Sequence, residues 1–301
     1  MTDGRSILVV GSSNMDLVVK INKFPLPGET LLGGDFFMNS GGKGANQAIA
    51  VSRLGGDVQF VCKTGRDAFR DKTVSLFKEE GIDTRGMLVD EEKPSGVAVI
   101  MVDKSGENSI VVAPGANSSL CVSDIDNLDI KWEFVDFVLL QLEIPIETVA
   151  HIVNLASEKG KKVILNPAPA ADLPEDLFRK LHIITPNKIE AESISGVKIT
   201  DNESLVKAAE VLHGLGVEHV IITLGSEGVL LYSGTPKWIP AIPTISVDST
   251  GAGDVFNAAL TVSLSEGKDF EEAIRFANKA ASISITRFGA IPSIPHRKEI
   301  S

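Results

Sequence analysis

The run Ser6-Ile7-Leu8-Val9-Val10-Gly11 is apolar through its interior and stops at glycine. An apolar run of strand length, without polar alternation and closed by a turn residue, marks a strand buried on both faces, the kind found in parallel sheets sandwiched between helices. The second half of the chain repeats the theme. Short apolar runs at 135–142, 162–165, 182–184 and 219–224 alternate with helical patterns, the first carrying Val149, Ile152, Val153 and Ala156 on one stripe and a later one Leu205, Ala209, Leu212 and Leu215. A strand is also expected at 58–62. Further helices are expected at 42–54, with Ala45, Ala48 and Ile49 on one face, at 68–80 before Gly81, at 189–195 and at 270–287.

Two stretches break this rhythm. Residues 17–21 and 29–37 are strand-like but interrupted by Pro25, Pro27, Gly28, Gly33 and Gly34, and residues 96–102 and 109–112 flank a turn-forming segment at 103–108. They read as hairpins standing off the main body. The fold class expected is therefore α/β: one domain over 1–301, with a central, mostly parallel sheet flanked by helices. A small β-sheet lid of about four strands is inserted from about 14–40 and 88–113.

Composition narrows the function. The chain has 301 residues, 43% hydrophobic and 23% charged, with a formal net charge of −11. That average field repels nucleic acid, so an anionic ligand must be drawn by helix N-termini, a few cations and a bound metal. No apolar run reaches membrane-spanning length and the first residues lack a signal peptide's core, so a cytoplasmic protein is expected. Cys62 and Cys121 both sit in apolar segments and are expected to be buried thiols; Trp132 and Trp238 are expected to be packing residues.

In an open parallel sheet, ligands bind beyond the carboxyl ends of the strands, and several polar clusters fall there. The most informative is Asp248-Ser249-Thr250-Gly251-Ala252-Gly253-Asp254, which runs straight into an apolar helical pattern. A capping carboxylate does not need Gly251 and Gly253 in front of it; close approach of an anion to bare N–H groups at a helix start does. Asp254 beside that anion points to proton abstraction from a hydroxyl during phosphoryl transfer. In Gly41-Gly42-Lys43-Gly44-Ala45-Asn46, the cation Lys43 opposes the helix dipole, a local rule broken in the manner of a functional site. Asn14, Asp16 and Asn46 offer acceptors suited to a polyol, and Glu143 closes an apolar strand.

Asn187 and Glu190, three apart, read equally as an N-cap with its capping-box glutamate or as groups ordering a hydrated Mg²⁺. The turn Thr223-Leu224-Gly225-Ser226-Glu227-Gly228 is placed to hold phosphate or ribose.

With these motifs assembled in order, and with Thr286-Arg287 and Gly289-Ala290 ahead of Pro292-Ser293, nearly the whole chain resembles the ribokinase-like family of carbohydrate and nucleoside kinases. The resemblance implies ATP-dependent phosphorylation of the 5-hydroxyl of ribose. Asp254 would be the base, and the N–H groups of Gly251, Ala252 and Gly253 the anion hole. Asn14, Asp16, Gly42, Lys43, Asn46 and Glu143 would contact the sugar. Asn187, Thr223, Gly225, Ser226, Gly228, Gly253 and Asn278 would line the nucleotide, and Glu190 would join a Mg²⁺ network. The resemblance further implies a K⁺ ion held by Asp248, Thr250, Ser284, Arg287, Gly289 and Ser293, and a homodimer formed through the lid.

The dipole at the helix start is expected to keep Asp254 ionised and weakly basic. Ser249 and Ala258 depart from the family's commoner threonine and glycine. Competing readings are a kinase of the same family for another sugar or a nucleoside, and a non-catalytic sugar- or nucleotide-binding regulator. A dinucleotide oxidoreductase fits less well, because Val9 to Asn14 lacks the further glycines of a pyrophosphate turn.

Overall fold

A computed structural model describes residues 6–105 and 107–300. In chain order its strands are β1 (Ser6–Val10), β2 (Asn14–Lys20), β3 (Phe36–Gly41), β4 (Asp57–Gly65), β5 (Met87–Asp90), β6 (Gly96–Val102), β7 (Asn108–Ala113), β8 (Val135–Leu140), β9 (Lys162–Leu165), β10 (Ile183–Ile184), β11 (His219–Thr223), β12 (Val229–Tyr232) and β13 (Pro236–Ile239). The helices are α1 (Lys43–Arg53), α2 (Ala68–Glu79), α3 (Val122–Asp126), α4 (Ile146–Glu158), α5 (Glu175–Phe178), α6 (Lys188–Ser195), α7 (Asn202–Gly214), α8 (Ala252–Ser265) and α9 (Phe270–Ser284).

β1 lies inside a nine-stranded sheet of order β13-β12-β11-β10-β9-β8-β1-β4-β5. Neighbouring strands pair in parallel except at one edge, where β12 runs antiparallel to both β11 and β13. Because successive side chains alternate faces, Ile7 and Val9 join a core with α1, α2, α8 and α9, while Leu8 and Val10 join a second core with α3 to α7. All four are at most 1% exposed, which is why this strand has no polar alternation. Truncating one of them to alanine costs about 2–5 kcal/mol.

The inserted strands form a separate sheet of order β3-β2-β6-β7, with β2 and β6 parallel and the outer pairs antiparallel. Phe36, Phe37, Met38, Val99, Ile110, Val111 and Val112 stand exposed on it.

Several expectations are corrected. The strand expected over 29–37 begins only at Phe36, opposite Val19; just before it Lys20 N–H donates to Asp35 O and Lys20 O accepts Gly34 N–H, and residues 29–33 stay outside the sheet. Met87–Asp90, within the segment assigned to the lid, instead pairs with Cys62 to Gly65 at the edge of the main sheet. Of the turn at 103–108, Gly106 lies outside the described residues, as do residues 1–5. Cys62 is buried, but Cys121 is exposed at the start of α3, where its neighbours pack and it does not. Trp132 packs against the second core, whereas Trp238 on β13 is 43% exposed. Among the described residues, no helix is long and apolar enough to cross a membrane.

Candidate active site

α2, α7 and α9 begin with an aspartate cap, Asp67, Asp201 and Asp269, each accepting a first-turn N–H. α1 and α8 begin differently. Their N-caps are Gly42 (φ 89°) and Gly251 (φ 75°), left-handed conformations that favour glycine, and neither helix has a side-chain cap. Both N-termini open beyond the carboxyl ends of the parallel strands. Among the described residues the N–H groups of Gly251 and Gly253 have no acceptor, and Ala252 N–H between them makes a 3.2 Å contact to Ser249 O. A Cβ on Gly253 would meet nothing within 4 Å, so the space in front of the turn is open.

Asp254, in the first turn of α8, is 5% exposed. Its Oδ2 accepts Asn46 Nδ2 at 2.8 Å and its Oδ1 accepts Gln47 Nε2 at 2.9 Å, so α1 holds both carboxylate oxygens. Burial pushes the Asp254 pKa up, and the Lys43 charge and the Asn46 and Gln47 amides only partly offset it; the net direction is upward. This corrects the expectation of a weak, readily ionised carboxylate: the helix dipole acts locally, while the desolvation comes from the entire core around it.

Lys43 lies among carboxylates. Asp254 raises its pKa most, burial opposes, and Glu143 and Glu190 add to the rise, so it remains cationic. Glu143 serves α1 directly: its Oε2 accepts Lys43 N–H at 3.0 Å and the Ser12 hydroxyl at 2.5 Å, capping a helix that lacks its own cap. Gly44 is fixed by packing, since a Cβ there would fall 2.6 Å from Gly11 C and Ser12 N.

Asp16 faces the same space. Burial, followed by the Glu143 and Asp254 charges, raises its pKa to about 7. Asn14 is 5% exposed and its Oδ1 accepts Asn117 Nδ2 at 2.7 Å, an anchor invisible in the sequence.

The expected nucleotide residues divide. Asn187 and Thr223 come together in an isolated bridge between the ends of β10 and β11, and Gly225 and Gly228 both take positive φ in the turn that carries Ser226. Asn278 lies on α9, where its Nδ2 donates to Pro240 O at 3.0 Å. Asn187 and Glu190 form the capping box: Asn187 Oδ1 accepts Glu190 N–H at 2.9 Å and Glu190 Oε2 accepts Asn187 N–H at 2.8 Å. Glu190 is also buried, which raises its pKa, and its charge couples to those of Lys43 and Asp254.

Asp248 ties two loops together. Its Oδ1 accepts Thr250 N–H and hydroxyl, at 2.9 and 2.6 Å, and its Oδ2 accepts Gly289 N–H at 2.8 Å. Burial raises its pKa, but the bonds from Thr250 and Gly289 outweigh that and hold it below the ordinary value. Val247 and Asp248 N–H groups donate to Ile285 O, bringing Ser284, Arg287 and Gly289 alongside, and Ser293 is fully buried one turn on.

The residues that sequence reasoning missed lie behind Asp254. Gln47, Gln141, Thr185 and Asn257 are each at most 2% exposed and are linked by hydrogen bonds to one another, to Asn166 or to the α8 turn. A polar residue closing the apolar run of β8 and an amide among the alanines of α1 were the available signals.

The description of the pfkB family carbohydrate kinases matches residues 5–297. Ribokinase of Haemophilus influenzae is 43% identical over 296 residues, covering 98% of this chain and 97% of that protein. Ribokinase of Bacillus subtilis is 42% identical over 297 residues, 98% of each. The solved structure of Arabidopsis thaliana ribokinase complexed with ribose and ATP matches with a TM-score of 0.91 at 34% identity, over 98% of this chain and 97% of that one.

Proposed function

We infer the reaction from one premise: the chain belongs to the pfkB family of carbohydrate kinases. It is an ATP-dependent sugar kinase whose acceptor is the 5-hydroxyl of D-ribose, giving ribose 5-phosphate and ADP. The relatives named ribokinase, alike over nearly their full length, support ribose as the substrate. The observation that carries the chemistry is Asp254, a buried carboxylate held by two amides beside the free N–H groups of Gly251 and Gly253.

In this reading Asn14, Asp16 and Asn46 bind sugar hydroxyls, with Gly42 and Glu143 shaping the pocket. Asn46 is suited to this: its Oδ1 is buried without a partner among the described residues, so a hydroxyl donated to it satisfies an otherwise costly acceptor. Asp254 takes the proton of the 5-hydroxyl as that oxygen bonds to the γ-phosphorus and the bond to the β-phosphate oxygen of ATP breaks. Gly251 and Gly253 N–H groups and the Lys43 ammonium face the charge on the transferring group. Asn187, Thr223, Gly225, Ser226 and Gly228 border the nucleotide. A carboxylate with a raised pKa is the better base for this step.

The donor set fits two hard cations. The ionised Asp248 carboxylate, the carbonyls of Thr250, Ser284, Arg287 and Gly289, and the Ser293 hydroxyl would supply an all-oxygen environment suited to K⁺, which would fix the Gly251 turn. In this reading Glu190, a buried carboxylate coupled to Lys43 and Asp254, would help to order Mg²⁺, which would neutralise phosphate charge. The exposed apolar residues of the small sheet support a homodimer through that sheet, and the use of ATP supports a cytoplasmic location.

Phosphoryl transfer from ATP to ribose, 2-deoxyribose, fructose and adenosine, with the product identified by phosphorus NMR, tests the reading. Ribose is expected to give the highest kcat/KM; a higher value for a nucleoside would assign the enzyme to another branch of the family.

A further inference from the structure

Behind Asp254, two glutamines stand in series. Gln47 Nε2 donates to Asp254 Oδ1 at 2.9 Å and to Asn166 Oδ1 at 3.2 Å, and Gln47 Oε1 accepts Gln141 Nε2 at 2.5 Å. Both glutamines are 0% exposed, so neither amide reaches bulk solvent. Gln141 itself comes off the end of β8 with its Oε1 against the bare Cα of Gly11, where a Cβ would fall 2.0 Å away. The donation from Gln141 gives the Gln47 amide one direction: oxygen toward β8, N–H groups toward the carboxylate.

We propose that Gln47, oriented by Gln141, is a positioning residue that keeps Asp254 an ionised acceptor aimed at the sugar hydroxyl. A proton on Oδ1 would need an acceptor where Gln47 presents a donor, and a proton on Oδ2 would meet the Asn46 amide in the same way. Hydrogen bonds to the charged form favour that form. They oppose the burial that pushes Asp254 toward its neutral acid, and Lys43 acts in the same sense. The other charges facing Asp254 are carboxylates, Glu143 at the α1 N-terminus, Asp16 on β2 and Glu190 on α6, which all disfavour its ionisation. The amide pair is thus one of the few features that let a nine-tenths-buried aspartate lose its proton near neutral pH while leaving one lone pair free for the substrate.

This inference rests on Asp254 being the base, and the experiment separates the two. kcat is measured from pH 5 to 9 at saturating sugar and ATP, where it reports groups in the bound complex, for the wild type, Asp254→Asn, Gln47→Met and Gln141→Met. Sugar affinity is measured by calorimetry in parallel. Gln47→Met is expected to move the acid limb up by about one pH unit, so that kcat falls by up to about tenfold on that limb and recovers at high pH, with sugar affinity within about threefold of wild type. Gln141→Met, which keeps the Gln47 amide but frees its direction, shifts the limb the same way by less. If Gln47→Met does not fold, Gln141→Met carries the same test.

A loss equal at every pH, or an unmoved acid limb with Asp254→Asn inactive, overturns the role of Gln47 and leaves the base intact. Turnover by Asp254→Asn overturns both.

Discussion

Asp16 lays its carboxylate against the bare Cα of Gly41, so closely that a Cβ there would fall 2.2 Å from Asp16 Oδ2. Sheet register produces the contact. Asn14 pairs with Gly41 and Asp16 with Asn39, which makes Asp16 and Gly41 diagonal neighbours across β2 and β3. Gly41→Ala must therefore displace Asp16. Loss of a charged hydrogen bond to a sugar hydroxyl is worth about 1.5–3 kcal/mol, so the ribose KM should rise about 10- to 100-fold while the ATP KM stays near wild type. Steady-state kinetics with each substrate varied in turn checks this.

The same carboxylate should give the protein a pH signature. Its folded pKa, about 7, lies above its ordinary value of 3.8. Between those values the folded state binds a proton that the unfolded state has released, so this group's contribution to stability falls as pH rises through the window and is constant above it. The difference in melting temperature between Asp16→Asn and wild type should grow from about pH 4 to about pH 7 and then level off. Sugar binding, which favours the carboxylate, should release protons near pH 6.5, detected by calorimetry in buffers of different ionisation enthalpy.

Asp248 links the loop before α8 to the segment after α9 through Gly289 N–H. Asp248→Ala removes both that tie and the charge of the proposed cation site. K⁺ added to the wild-type enzyme should raise kcat, and the variant should show no K⁺ response with a lower basal rate. A variant still activated by K⁺ to the wild-type degree would move the cation elsewhere.

Phe37, Ile110 and Val111 are 43%, 49% and 65% exposed on the small sheet, an apolar area that a monomer leaves in water. Val111→Lys should convert a dimer to a monomer in sedimentation analysis and reduce sugar affinity, because Asn14 and Asp16 sit on the same sheet.

How much of this was legible follows residue by residue. β1 was readable because burial on both faces leaves a continuous apolar run, and the α8 turn because two glycines just ahead of Asp254 are more than a helix cap needs. The start of β3 was not, since strand-like composition at 29–35 does not reveal where pairing with β2 gives out, just beyond Lys20. Gln47 was hidden on a helix whose Ala45, Ala48 and Ile49 read as core; its partner Asp254 is 207 residues away, and only tertiary structure joins them. The raised pKa of Asp254 was misjudged for the same reason, as the dipole is local and the desolvation is not.

The central claim is that Asp254 accepts the proton of the sugar's 5-hydroxyl. Its most direct test is single-turnover phosphoryl transfer by Asp254→Asn at saturating ribose and ATP, with ribose affinity measured on the same sample. The account predicts affinity within about threefold of wild type and a rate lower by about 10²–10⁴-fold. Transfer at the wild-type rate would contradict it.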